Sequence, residues 1–127
     1  MEIETIHTDE APPAIGPYSQ GVKARGFVYT SGQISLDPNG NFVDGSFADQ
    51  AHRVFRNLEA ILRAGGSSFS RVLKATVYLT NLAGNFDELN KIYASYFGDH
   101  KPARTTVQVS ALPKGSALEI DLVALAG

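Results

Sequence analysis

"RVLKATVYLT", Arg71 to Thr80, alternates Leu73, Ala75, Val77 and Leu79 with Lys74, Thr76, Tyr78 and Thr80. Period two over this length predicts a β-strand with one buried face. The segments on either side have a different period. Upstream, "SFADQAHRVFRNLEAILRAGG" (46–66) repeats Phe47, Ala51, Val54, Phe55, Leu58, Ile61 and Leu62 at spacings of three and four. It predicts a helix with one apolar stripe, N-capped by Ser46 with Asp49 and stopped by Gly65-Gly66. Downstream, "NFDELNKIYASYFG" (85–98) carries Phe86, Leu89, Ile92, Tyr93, Tyr96 and Phe97 as a second stripe. Asn85 with Glu88 reads there as a capping box, and Gly98 as the stop. A strand held between two one-sided helices belongs to a sheet that both helices cover.

Shorter runs of β-branched and aromatic residues supply the other strands. They are "EIETIH" (2–7), "SQGVKA" (19–24), "GFVYTSGQI" (26–34), "RTTVQVS" (104–110) and "LEIDLVALA" (118–126). Arg25-Gly26 predicts a tight turn and "DPNGN" (37–41) a loop. The order is β-β-β-α-β-α-β-β. Strand-helix-strand units favour parallel neighbours and hairpins antiparallel ones, so the expected class is α+β, a mixed sheet with both helices on one face. No third helix is available for the other face, which makes a second copy of the chain the expected cover.

The chain of 127 residues fits a single domain, 1–127, without linker or internal repeat. Its 43% hydrophobic and 19% charged residues suffice for a core and argue against disorder. A net charge of −2 and scattered Lys and Arg do not describe a nucleic-acid binder. Arg53, Arg56 and Arg63 share a helical face and read as its solvated side. The absence of cysteine excludes disulfides, a thiol nucleophile and thiolate-bound metals. His7, His52 and His100 lie far apart, without metal-ligand spacing, and no metal site is expected. No signal-like or membrane-spanning segment is visible, so the expectation is a soluble, cytoplasmic protein without membrane contact.

No Ser lies in a nucleophile elbow, and no glycine loop has phosphate-binding spacing. Arg104 and Glu119 are the charges that need an explanation, because each opens an apolar strand. If those strands pair antiparallel across "SALPKGSA", Gln108 opposes Glu119. Arg104 then projects from the same side, roughly 13 Å away along the sheet. That distance suits a ligand of a few atoms between them. A slip of one residue reverses the result. On spacing alone, two solvated strand charges remain the readier reading. Tyr18 in "IGPYSQG" equally fits hairpin packing. Ser31-Gly32 in "YTSGQI" fits a bulge or the close approach of a ligand. Asn90 fits an exposed position flanking the second stripe.

Taken together, "IGPYSQG", "YTSGQI", "LNKIYASYF" with Asn90 and "PARTTVQVSALPKGSALEI" resemble the RidA/YjgF family of enamine/imine deaminases. Pro-Ala-Arg, then Val-x-Val, Leu-Pro and Glu-Ile, form that family's signature, and the resemblance runs through nearly the whole chain. It implies a chorismate-mutase-like α+β fold and a homotrimer with ligand clefts between subunits. The implied activity is cofactor-independent hydrolysis of 2-aminoacrylate and related 2-imino acids to 2-keto acids and ammonia. Matched by position, Arg104 binds the substrate carboxylate and Glu119 handles the water, while Tyr18, Ser31, Gly32, Asn90 and Thr106 line the cleft. Many members have cysteine where this chain has Thr106, so a thiol role does not transfer, although a backbone carbonyl role does. Some relatives have been described as ribonucleases or translation inhibitors. A carboxylate-sensing protein is the other alternative, one that needs the arginine but not the glutamate.

The chemistry asks for these residue types independently. A guanidinium fork matches a planar carboxylate with two charge-assisted bonds. One carboxylate can take a proton from the attacking water and return it to the leaving nitrogen.

Overall fold

The computed structural model describes residues 2–127. Its elements follow the expected order: β1 (Glu4–Ile6), β2 (Gly21–Ala24), β3 (Phe27–Thr30), α1 (Phe47–Ala64), β4 (Val72–Leu79), α2 (Leu82–Phe97), β5 (Ala103–Gln108) and β6 (Leu118–Leu125). Short 3-10 turns at Phe69–Arg71 and Pro113–Gly115 precede β4 and β6. One six-stranded sheet has the order β1-β2-β3-β6-β4-β5. Only β4 and β5, joined through α2, run parallel; the other pairs are antiparallel. Arg25 and Gly26, with φ of 53° and 81°, form the tight β2–β3 turn in which both residues are left-handed.

The β6 pairing differs from the sequence expectation. β6 does not form a hairpin with β5; it lies between β3 and β4, and β4 separates it from β5. The physical reason is burial. Leu118, Ile120, Leu122 and Ala124 are at most 1% exposed, so β6 is a central strand. β5 has no fully buried residue and takes the edge.

Ala75, Val77 and Leu79 of β4 and the buried β6 residues join α1 and α2 in a single core. Phe55 of α1 is its hub, stacked on Tyr96 (4.6 Å between centroids) and edge-on to Tyr93 and Phe97 at 6.0 and 6.4 Å. Leu73 lies outside the alternation, 42% exposed, because the register shifts between Val72 and Lys74 and turns Val72 inward instead. The opposite sheet face carries Val22, Phe27, Tyr29, Tyr78, Glu119, Asp121 and Val123. No helix among the described residues packs there, and none is long and apolar enough to cross a membrane.

α1 begins as expected: Ser46 Oγ accepts from Asp49 N (3.1 Å), and Asp49 Oδ2 accepts from Ser46 N (3.3 Å). α2 is capped four residues before the expected Asn85. Its N-cap is Asn81, whose Oδ1 accepts from Gly84 N at 3.1 Å. Gln108 Oε1 of β5 accepts from Leu82 N at 2.9 Å, tying the helix start to the edge strand. A Cβ on Gly84 would lie 3.0 Å from Asn81 Cγ, so the glycine that obscures this turn in the sequence leaves room for the cap. On α1, Arg53 is less solvated than its pattern implies: its Nε donates to Oδ1 of the fully buried Asn57 at 3.1 Å.

Candidate active site

Glu119 lies between Leu118 and Ile120, whose side chains enter the core, so its own projects from the uncovered face. It is half-buried in a cavity of about 390 Å³ that also takes in Tyr18, Ser31, Gly32, Pro12, Pro13 and Pro113. Gly32 leaves the space that the carboxylate fills: a Cβ there would lie 2.8 Å from Glu119 Cδ, so any side chain at this position would push the carboxylate aside. Burial pushes the Glu119 carboxyl up from the usual range, and the neighbouring Asp121 adds to the effect. Asp121 is also raised, by burial against the opposing pull of Lys74 and the Tyr78 hydroxyl.

Gln20, which the sequence pattern did not single out, builds two walls of this cavity. Its buried side chain accepts from Thr8 N (2.8 Å) and donates to the carbonyls of Thr8 (3.0 Å) and Pro12 (2.9 Å). Its backbone carbonyl accepts from Ser31 N at 2.9 Å, while Ser31 Oγ donates to Ser19 O. The Pro12-Pro13 turn and the Ser31-Gly32 turn are thus both fastened at Gln20. A glutamine at the start of a short strand gives no hint of this, because its partners lie 8 to 12 residues away.

Arg104 belongs to a different surface. It registers with Ala75 across the parallel β4–β5 pair, and Thr106 registers with Val77, so both face the helices. The guanidinium carbon is 4.9 Å from the centroid of the Tyr93 ring and 5.8 Å from that of Phe86. Arg104 lines a cavity of about 270 Å³ with Tyr93, Ala94, Phe97, His100, Lys101 and Pro102. His100 is held by Val72 O at 2.7 Å. Asn90 occupies the same face of α2, between Phe86 and Tyr93 by helical period. The Tyr93 and Thr106 hydroxyls are buried with no hydrogen-bond partner among the described residues.

The fold therefore sorts the expected site residues into two groups. Tyr18, Ser31, Gly32 and Glu119 converge on one cavity; Arg104, Asn90 and Thr106 lie together on the other side of the sheet. The expectation that Arg104 and Glu119 project from one face is overturned. It rested on β5–β6 pairing, and β4 intervenes with a register that puts Arg104 opposite Ala75 and Glu119 opposite Tyr78. Among the described residues, no group of three acidic or histidine side chains could hold a metal ion.

Residues 8–126 match the model of the family described as "Endoribonuclease L-PSP", which is the RidA/YjgF family. The chain belongs to this family. Among its RidA/YjgF relatives, Protein DfrA of Myxococcus xanthus is 50% identical over 98% of this chain and 97% of its own. A human protein described as "2-iminobutanoate/2-iminopropanoate deaminase" is 46% identical over 96% of this chain and 89% of its own. The crystal structure of yeast Mmf1 superposes with a TM-score of 0.96 at 40% identity, covering 99% of this chain and all of the other. Relatives under the name RutC are equally similar, so the family is common ground while the names of its members differ.

Proposed function

We propose that the protein hydrolyses 2-imino acids, among them the imine tautomer of 2-aminoacrylate, to 2-keto acids and ammonia. The observation that carries the reading is Glu119: a half-buried carboxylate of raised basicity, seated on Gly32 at the back of an open cavity. The similarity to relatives described as imine deaminases supports the same reading.

The steps balance without a cofactor. Arg104 takes the substrate carboxylate through two N–H donors and so fixes the C=N carbon. Glu119 accepts a proton as water oxygen bonds to that carbon. It returns that proton to nitrogen, then takes the proton of the new hydroxyl as the C–N bond breaks and C=O forms; the departing ammonia carries this last proton away as ammonium, and the keto acid remains. A negative Glu119 also favours the protonated iminium that water attacks.

Arg104 and Glu119 lie on opposite sheet faces of one copy, so the proposal places the reaction between copies. Arg104, Asn90 and Thr106 of one meet Tyr18, Ser31, Gly32 and Glu119 of the next. A homotrimer closes such a ring with three equivalent sites and gives the uncovered apolar face its partner. The compartment proposed is the cytoplasm, and RNA is not the substrate proposed for a chain of net charge −2.

The test generates 2-aminoacrylate with a serine dehydratase and follows imine loss. Wild type should accelerate it, whereas Arg104→Ala and Glu119→Gln should match the rate without protein. Equal rates in all four would overturn the enzyme reading in favour of a carboxylate-binding protein.

A further inference from the structure

Arg104 makes no ion pair among the described residues. It is held instead against two aromatic rings, Tyr93 at 4.9 Å and Phe86 at 5.8 Å from their centroids. The rings differ in how firmly they are set. Tyr93 stacks on Phe97 at 4.4 Å and meets Phe55 edge-on at 6.0 Å, so the core fixes it. Phe86 is 38% exposed and closes the clamp from the surface.

This support has a chemical consequence. An aspartate or glutamate beside Arg104 would also fix the guanidinium, but it would occupy the N–H donors and compete with any carboxylate ligand. A ring attracts the cation through its face and takes up no in-plane N–H. We propose that Phe86 and Tyr93 are positioning residues that aim Arg104 while leaving its donors for the ligand carboxylate. The proposal rests on the reading of Arg104 as the carboxylate anchor. It assigns the role to the rings and not to the Tyr93 hydroxyl, which is buried without a hydrogen-bond partner among the described residues.

A loosened clamp costs carboxylate binding, so KM and the affinity for a carboxylate inhibitor should move together, while the acid limb of the pH–rate profile, set at Glu119, should stay where it is. The experiment measures kcat and KM for imine hydrolysis, with inhibition by pyruvate as a probe of carboxylate affinity. Phe86→Leu should raise KM and the pyruvate inhibition constant about two- to fivefold, the size of one exposed cation–π contact. Tyr93→Leu should raise them at least as much, and Tyr93→Phe should restore both to near wild type. If Phe86→Leu and Tyr93→Leu keep wild-type KM while Arg104→Ala is inactive, the clamp is refuted. Tyr93→Phe as impaired as Tyr93→Leu would also refute it, by assigning the effect to the hydroxyl. Near-normal Arg104→Ala would instead sink the anchor reading on which the clamp depends. Should Tyr93→Leu fail to fold, Phe86→Leu on the surface and Tyr93→Phe still decide.

Discussion

At Glu119 the balance between burial and charge has a measurable sign. Burial and Asp121 both raise its pKa, so a base role predicts turnover that falls as pH drops through that raised value. Removing one cause should move the limb. Asp121→Asn should shift the acid limb of kcat/KM to lower pH; a pH–rate profile with an unmoved limb would deny that Glu119 is the titrating base. The same shift bears on stability. A carboxyl whose folded pKa lies above its unfolded value favours the fold below the unfolded pKa, and that contribution is lost as pH rises through the folded one. Glu119→Gln should therefore melt higher than wild type at pH 7, with the gain vanishing in acid, even as activity is lost. Thermal melts at both pH values check this. Gly32→Ala should displace the carboxylate, because its Cβ would come within 2.8 Å of Glu119 Cδ. A large fall in kcat with unchanged circular dichroism is the expected result. Arg104 and Glu119 were legible as candidates because charges opening apolar strands need a reason. Gln20 was not, because its role lies in hydrogen bonds that no periodicity records.

At the scale of elements, the helices and β4 followed from period and caps, and they failed only where a local rule was broken. α2 reaches back to Leu82 because Asn81 and Gln108 cap a turn that contains Gly84. Asn81→Ala should cost about 1 kcal/mol of unfolding free energy and Asn85→Ala much less; chemical denaturation distinguishes the two, and the reverse order would return the cap to Asn85. Strict alternation puts Leu73 inward, and the bulge at Val72 exposes it. Strand pairing leaves the faintest trace in the sequence. Adjacent strands in sequence invite a hairpin, and only the relative burial of β5 and β6 puts one at the edge and the other in the centre. That single exchange carried Arg104 to the opposite face from Glu119.

For the whole molecule, the proposed site between copies accounts at once for the separation of Arg104 from Glu119 and for the uncovered face bearing Phe27, Tyr29 and Val123. Tyr29→Lys on that face should shift the assembly toward monomer in sedimentation and abolish turnover together. The most direct measurement is subunit mixing. Arg104→Ala and Glu119→Gln, each inactive alone, are co-refolded in equal amounts. If each site draws Arg104 from one copy and Glu119 from the next, about a quarter of the sites, half of the arginine donors times half of the glutamate donors, regain both residues. The account predicts turnover recovered to that fraction of wild type; a mixture as inactive as its two parents would contradict it.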